Sequence, residues 1–242
     1  MAPKNMIVTG SGRLIGPLLS ACLLNDGYHN AICRKGNICD PAYAKELLSL
    51  AQSLHAIIIF HDINSAGSEA NYDFSGNINV ESAVSVQPLR ATVTSSVTST
   101  PEVTYGAHKY ASEIMINDMH RKKFINSFIV RFSTLVVRPG LLRKLVASWL
   151  SGRSFHSHIC SPIGVIENLS RVLNLKSDAL PPHVRYINIP DVLATTQELV
   201  DGMAKYGGED NLKYLKETNE GFERIPRSQP QALDPSTPYR LG

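Results

Sequence analysis

The sequence predicts an α/β fold in which helices cover both faces of a parallel sheet, with a small C-terminal lobe. Short apolar runs, typical of buried parallel strands, alternate along the chain with segments of helical periodicity. A glycine-rich turn follows the first run and precedes the first helical segment. We therefore expect a doubly wound sheet within residues 1–140 and a smaller part, not an independent domain, within 141–242.

The composition is ordinary for a globular protein, with 43% hydrophobic and 19% charged residues among 242. A formal charge of +3 is too small to predict nucleic-acid binding, and no apolar run is long enough to span a membrane. The start of the chain lacks the apolar core of a signal peptide, and the four cysteines show no paired spacing. We therefore expect a cytoplasmic protein that binds neither nucleic acid nor membranes.

The first strand, NMIVT, leads into the turn GSGRLIG and then into a helical run. A glycine turn between a strand and a helix is typical of a dinucleotide site. Gly10 would permit the tight turn, the first helical amides would hold a pyrophosphate, and Gly16 would let helix and strand approach closely. The alternative is a turn that serves only as a connection, because Arg13 stands where the G-x-x-G-x-x-G pattern has its second glycine.

The next predicted strand, NAIC, runs into Arg34 and Lys35. A basic side chain at such a strand end suits the 2′-phosphate of NADP, whereas a solvated loop is the competing interpretation. Asp40 and Pro41 then predict a helix start, as N-cap and first helical residue. The run AIIIF predicts a buried strand, and we expect the residues after it, HDINSAGSEANYDFSGN, to form a polar loop.

Tyr105 and Lys109 open a predicted helix and are four residues apart, so they share one helix face. A free tyrosine has a pKa of roughly 10, which makes it a poor acid–base group near neutrality. We expect the ammonium group of Lys109 to lower the pKa of Tyr105 toward the working pH. Ser96 lies at the end of the preceding strand, ATVTSSV, nine residues before Tyr105. An extended chain of that length reaches about 30 Å at ~3.3 Å per residue, so the side chains of Ser96 and Tyr105 can meet at one substrate. The alternative is that Ser96 belongs to a strand and turn and has no role in binding the substrate.

Toward the C-terminus, His156, His158 and Cys160 alternate on a predicted strand. Alternate positions on one strand supply three ligands at most, so we expect no metal site. Helices are expected in LLRKLVASWLSGR, SPIGVIENLSRVLNL and LATTQELVDGMAKYG, and a strand in VRYINIP. The stretch from Glu217 onward is rich in proline and polar residues and is expected to lie on the surface.

Five segments, TGSGRLIG, NINVESA, TSSV, YGAHK and RFSTLVVRPG, resemble the extended short-chain dehydrogenase/reductase superfamily in sequence and in order. The resemblance is strongest to its NAD-dependent epimerase/dehydratase branch, and within that branch to the D-erythronate dehydrogenase-like proteins. It implies a Rossmann-like fold, a cofactor that is NAD or NADP, and a substrate pocket formed by the C-terminal part.

The resemblance also implies roles for individual residues. Tyr105 would be the acid–base residue, Lys109 would also bind the nicotinamide ribose, and Ser96 would hydrogen-bond the substrate. The remaining cofactor-binding positions would be three glycines under the pyrophosphate and one asparagine near the cofactor: Gly10, Gly12, Gly16 and Asn79.

Two main functional hypotheses follow, and an epimerase or dehydratase that uses the same cofactor internally is a third alternative. The first is an NAD(P)-dependent oxidoreductase acting on a small hydroxylated substrate, such as a sugar acid or a secondary-metabolite intermediate. The second is a degenerate, non-catalytic dinucleotide-binding or regulatory relative. It is favoured by HDIN in place of small apolar residues and by a chain too short for every element of the family. Because one helix of the family's usual dimer interface is cut short, we expect a weak homodimer or a monomer.

Overall fold

The computed structural model describes residues 5–12, 15–28, 34–50, 54–85, 90–95, 103–135 and 156–207. In chain order these residues form β1 (Asn5–Thr9), α1 (Ile15–Asn25), α2 (Pro41–Ser49), β2 (Leu54–Ile59), α3 (Ser65–Ala70), α4 (Tyr72–Gly76), a π-helical turn (Asn77–Glu81), α5 (Ser82–Ser85), β3 (Arg90–Ser95), α6 (Thr104–Arg121), β4 (Asn126–Arg131), β5 (Thr134–Leu135), β6 (His156–Cys160), α7 (Pro162–Leu173), β7 (Tyr186–Asn188), β8 (Val192–Thr195) and α8 (Thr196–Gly207). The predictions for NAIC, for LLRKLVASWLSGR, for Ser96 and for the stretch from Glu217 lie outside the described residues.

The main sheet has five strands in the order β1-β2-β3-β4-β7, and every neighbouring pair is parallel. A second sheet of three strands, in the order β5-β6-β8, pairs β5 with β6 in parallel and β6 with β8 antiparallel. Parallel strands need crossover connections, which the helices supply. The predicted parallel α/β sheet is therefore confirmed.

Side-chain alternation along β2 divides the core into two layers, one on each face of the main sheet. Ile58 points into a cluster that contains Leu19 of α1 and Leu169 of α7. Its neighbour Ile57 points into the other cluster, which contains Ile116 of α6. All five of these side chains are fully buried, and burial of such a side chain contributes roughly 1.5–3 kcal/mol. Helices thus cover both faces, as a doubly wound fold requires.

Two helix starts follow directly from local sequence. Asp40 caps α2, because its Oδ1 accepts a hydrogen bond from the Ala42 amide at 2.9 Å, and Pro41 is the first helical residue. Ser161 caps α7 in the same way, with its Oγ accepting from the Gly164 amide at 3.0 Å. The predicted cap at Asp40 is confirmed.

The prediction of a polar loop after β2 is wrong. Its residues form the short helices α3 and α4, each capped by an asparagine. Asn64 Oδ1 accepts from the Gly67 amide, and Asn71 Oδ1 accepts from the Phe74 amide, both at 3.0 Å. The many serine and glycine residues give weak helical periodicity, so here the caps and the packing against α6 decide the structure rather than propensity.

A second difference concerns the start of the last helix. The segment LAT, expected to be helical, belongs instead to β8, where Leu193 pairs with His158 of β6. The helix begins only at Thr196, and the side chain of Glu198 accepts a hydrogen bond from the Thr195 amide at 2.7 Å. Strand pairing therefore overrides the helical pattern of these residues.

Candidate functional site

The candidate site lies at the carboxyl ends of β1 and β2, beside the first turn of α6. This helix begins where Glu69 of α3 accepts a hydrogen bond from the Thr104 amide at 2.6 Å. Val103, just before the helix, is extended and supplies no side-chain cap, so Glu69 satisfies one of the unpaired amides of the helix end. This start places Tyr105 in the first turn and Lys109 one turn further on.

Tyr105 and Lys109 converge on a single carboxylate oxygen. The hydroxyl of Tyr105 donates a hydrogen bond to Asp62 Oδ2 at 2.9 Å. Lys109 Nζ lies 3.8 Å from the same oxygen and 5.5 Å from the centre of the Tyr105 ring. The side chain of Lys109 is only 6% exposed, whereas that of Asp62 is 39% exposed. The structure thus brings the predicted pair together and adds a third group, Asp62.

The prediction that Lys109 lowers the pKa of Tyr105 is wrong for this arrangement. Burial raises the pKa of Tyr105 well above its ordinary value, and the charge and hydrogen bond of Asp62 raise it further. Burial lowers the pKa of Lys109, while the nearby carboxylates of Asp62 and Glu113 oppose that change. The physical reasons are that burial disfavours the phenolate and that a carboxylate, and not the ammonium group, accepts the hydrogen bond of the phenol.

His61 anchors the chain on one side of Asp62. Its Nδ1 lies 2.7 Å from Thr9 Oγ1 at the end of β1, and its Nε2 lies 2.8 Å from Ser82 Oγ. Burial, and then the positive charge of Lys109, lowers the pKa of His61 to about 4. The imidazole is therefore neutral near pH 7 and acts as a hydrogen-bonding bridge between β1 and α5.

Asn79 anchors the chain on the other side of Asp62. Its Oδ1 accepts from the Ile63 amide at 2.9 Å, and its Nδ2 donates to the Ile63 carbonyl at 3.1 Å and to Ser75 Oγ at 3.0 Å. The residue is fully buried. Through these bonds Asn79 fixes the segment that carries Asp62.

The three predicted cofactor glycines meet different surroundings. Gly10 has a φ of +67°, and a β-carbon there would lie 2.7 Å from the His61 amide nitrogen. A β-carbon at Gly16 would lie 2.2 Å from the carbonyl oxygen of Ser11. At Gly12 it would meet nothing within 4 Å. The chain itself therefore requires glycine at positions 10 and 16, whereas Gly12 borders open space just before α1.

A cavity of about 360 Å³ lies beside β1 and extends past its carboxyl end. Arg34, which is exposed, lines this cavity together with the ring of Tyr43. The Tyr43 ring packs against Gly36, where a β-carbon would lie 2.2 Å from ring atoms. Open space before a helix N-terminus, with an aromatic wall and a cation next to it, fits the adenosine and phosphate part of a dinucleotide.

Two important residues of the site, His61 and Asp62, were not among the predicted site residues. The available signal was the polar segment HDIN directly after a buried strand, since strand ends at this edge of a parallel sheet carry function. Their partners, Thr9 and Tyr105, are 52 and 43 residues away in sequence. No local pattern reports contacts at such a separation.

The alternating side chains of β6 use other partners. His158 Nδ1 lies 2.8 Å from Asp191 Oδ1, and Cys160 Sγ donates to the Ser133 carbonyl at 3.4 Å. Burial raises the pKa of the Cys160 thiol to about 11, which disfavours the thiolate that metals bind. Within the part of the chain that the structure describes, no group of three or more histidine, cysteine or acidic residues could hold a metal ion. No helix in this part has the length and apolar character needed to cross a membrane.

No protein-family model matches the sequence. The chain is 30% identical over 172 residues to D-erythronate dehydrogenase from Haemophilus influenzae, an alignment that covers 64% of this chain and 54% of that protein. The chain thus spans about half the length of this relative. It is 22% identical over 307 aligned positions to D-erythronate dehydrogenase from Cupriavidus necator, covering 98% and 93% of the two chains. Because 307 positions exceed the 242 residues here, that relative contains segments that this chain lacks.

Solved structures show the same fold. The nucleoside-diphosphate-sugar epimerase from Agrobacterium tumefaciens superposes with a TM-score of 0.81 at 18% identity, over 99% of this chain and 89% of that one. MoeE5 in complex with UDP-glucuronic acid and NAD superposes with a TM-score of 0.68 at 15% identity, over 98% and 99%. The chain therefore has the Rossmann-like α/β fold of these proteins, and its predicted resemblance to the extended short-chain dehydrogenases/reductases of the D-erythronate dehydrogenase type is confirmed.

Proposed function

We propose that the protein is an NAD- or NADP-dependent oxidoreductase acting on a small hydroxylated substrate, a sugar acid or a secondary-metabolite intermediate. The observation that carries this proposal is the placement of Tyr105 and Lys109 at the same sheet edge as the glycine turn after β1. Two relatives named for oxidation of a sugar acid, and a structural neighbour solved with NAD, support the reaction class and the cofactor.

In this proposal each residue has a defined task. The bound nicotinamide supplies hydride chemistry. Tyr105 receives a proton at Oη from the substrate hydroxyl during oxidation and returns it during reduction. Ser96 hydrogen-bonds the substrate oxygen, and Lys109 holds a positive charge beside both the phenol and the nicotinamide ribose.

The cofactor is held by the elements around β1. Gly10 and Gly16 shape the turn, Gly12 leaves room for the pyrophosphate, and Asn79 supports the loop beside it. Arg34 lines the cavity next to β1, where a guanidinium group would pair with the 2′-phosphate of NADP. We therefore propose that NADP binds at least as tightly as NAD.

The alternative function is a non-catalytic dinucleotide-binding or regulatory relative. One observation favours it: the Tyr105 hydroxyl is already engaged by the carboxylate of Asp62. The length difference from the Cupriavidus necator relative favours it as well. On this alternative the Tyr105–Lys109 pair would be a remnant of a catalytic ancestor.

Calorimetric titration with NAD+ and then NADP+ separates the two functions, followed by a screen of hydroxy acids and polyols for nicotinamide reduction. We expect binding of at least one cofactor, and a turnover that Tyr105→Phe lowers by about 10²–10⁴-fold. Tyr110→Phe, on the same helix at an exposed position, is the matched control and should retain activity. Turnover that survives Tyr105→Phe contradicts the mechanism, and no binding at millimolar cofactor favours the non-catalytic alternative.

We also propose that the protein is cytoplasmic and is a monomer or a weak homodimer. The surface of α6 that would pair two copies exposes Ile114 and Met115. The sequence before the serine strand is short for the second helix of the family's interface, which supports weak association between copies.

A further inference from the structure

We propose that Asp62 is a positioning residue that receives the Tyr105 proton, so that the phenol relays a proton from the substrate hydroxyl to a carboxylate. This inference rests on the proposed oxidoreductase function and adds to it the path that the proton takes. The observation behind it is the hydrogen bond of 2.9 Å from Tyr105 Oη to Asp62 Oδ2.

The hydrogen bond determines what the phenol can do next. A tyrosine hydroxyl has one hydrogen and can also accept hydrogen bonds. Because Tyr105 donates its own hydrogen to Asp62, its oxygen is left to act as the acceptor of a hydrogen bond from a substrate hydroxyl. The arrangement therefore favours a neutral phenol that relays a proton to Asp62, rather than a phenolate that accepts the substrate proton and keeps it.

The step balances in atoms and charge. During oxidation a bound nicotinamide would accept the hydride released when the substrate C–H bond breaks. The substrate hydroxyl proton moves to Tyr105 Oη while the phenol's own proton moves to Asp62 Oδ2, and the substrate C=O bond forms. The nicotinamide would take up the two electrons that the substrate loses, and Tyr105 is neutral before and after. Asp62, now a carboxylic acid, is 39% exposed and returns its proton to water.

The charged groups around the phenol have separate tasks. Lys109 Nζ lies 3.8 Å from Asp62 Oδ2 and places a positive charge beside that oxygen. His61, next to Asp62 in sequence, is occupied by Thr9 and Ser82. Two further carboxylates are engaged elsewhere, since Glu113 pairs with Arg131 and Glu69 accepts from the Thr104 amide. Asp62 is the charged group of this set that contacts the Tyr105 hydroxyl.

The chain on either side of Asp62 is held in place. His61 is bonded to two hydroxyl groups, and the backbone of Ile63 exchanges two hydrogen bonds with the amide of Asn79. A proton acceptor held in this way needs little reorganisation during the reaction, which is the condition under which a polar group contributes most to catalysis.

The experiment compares Asp62→Asn with Asp178→Asn, an equal change of charge at an exposed position. The first readout is nuclear magnetic resonance of protein labelled with ¹³C at tyrosine Cζ, without cofactor. The Tyr105 signal is assigned by its loss in Tyr105→Phe. We expect Tyr105 to ionise at a lower pH in Asp62→Asn than in the unchanged protein and in Asp178→Asn. Equal ionisation in all three proteins overturns the proposal.

The second readout is the pH profile of kcat/KM for oxidation, with D-erythronate and NAD+ or NADP+ as probes. In Asp62→Asn the phenolate itself must accept the substrate proton. We therefore expect an activity loss of about 10²-fold near pH 7 that diminishes as the pH rises. A uniform loss at every pH, or a gain at every pH, overturns the relay. Absence of turnover in the unchanged protein overturns the proposed function. Turnover in the unchanged protein, together with a Tyr105 that ionises at the same pH in Asp62→Asn, overturns only the role of Asp62.

Discussion

Gly10 lies directly against the backbone of His61. A β-carbon at position 10 would be 2.7 Å from the His61 amide nitrogen, and Gly10 has a φ of +67°. The end of β1 and the segment after β2 can therefore approach each other only with glycine at this position. This contact also sets where Asp62, the next residue, stands relative to α6.

Alanine substitutions separate the structural glycine from the binding glycine. Gly10→Ala should destabilise the fold by at least about 1–2 kcal/mol, the cost of a left-handed alanine, with the backbone clash added. Gly12→Ala should leave stability unchanged, since its β-carbon meets nothing within 4 Å, but should weaken cofactor binding by filling the space for the pyrophosphate. Urea unfolding measures the first effect and calorimetry the second. Equal destabilisation by both variants would contradict this division.

Arg34→Ala should weaken NADP+ binding about tenfold or more and leave NAD+ binding nearly unchanged. The reason is that only the 2′-phosphate offers the guanidinium group a dianionic partner. Lys45→Ala is the matched control, because Lys45 is an exposed cation on α2 outside the residues that line the cavity. Calorimetric titration of both variants with both cofactors is the measurement. An equal loss for NAD+ and NADP+ would remove Arg34 from the choice of cofactor.

His61 should make the fold sensitive to acid. Its pKa falls from about 6.5 in the unfolded chain to about 4 in the fold, so the unfolded state binds more protons between these values. The contribution of His61 to the free energy of unfolding should be fully present above about pH 6.5. The free energy of unfolding should fall by up to roughly 3 kcal/mol as the pH drops to 4. Urea unfolding at pH 7 and 4.5 should show a smaller drop in His61→Gln. The exposed His183→Gln should retain the full drop, and a drop of unchanged size in His61→Gln would exclude this account.

Glu113 and Arg131 form an ion pair that joins α6 to β4. Arg131 Nε lies 2.9 Å from Glu113 Oε1, and the side chain of Glu113 is only 2% exposed. Glu113→Gln should destabilise the fold, by up to about 3–5 kcal/mol, because it leaves the half-buried guanidinium group of Arg131 without its counter-charge. Asp118→Asn, which breaks an exposed pair with Arg121, should change stability little. Thermal unfolding of both variants compares them, and equal effects would contradict the buried pair's role.

Sedimentation velocity at low micromolar concentration should show a monomer or a rapidly exchanging dimer. Ile114 on α6 is 54% exposed, and a charge there, in Ile114→Lys, should remove any dimer that forms. Ile163→Lys, at an exposed position on α7, is the control and should sediment like the unchanged protein. A tight dimer would contradict the proposed weak association.

Local features were the most predictable part of the fold. The apolar run of β2 and the cap at Asp40 both depend on residues within a few positions of each other. The spacing of Tyr105 and Lys109 likewise places both on one face of α6, whatever surrounds that helix. Such features are encoded by periodicity and by short-range hydrogen bonds, so the sequence predicts them directly.

By itself, then, the sequence determined the parallel α/β architecture, the glycine turn and the catalytic-type pair on one helix. Only the tertiary structure decided that Asp62, 43 residues from Tyr105, contacts the phenol, and that burial and then this carboxylate raise the pKa of Tyr105. It also decided that β8 pairs with β6 instead of starting a helix. The physical reason is that these contacts depend on which strands become neighbours, and burial then determines how strongly each charge acts on the next.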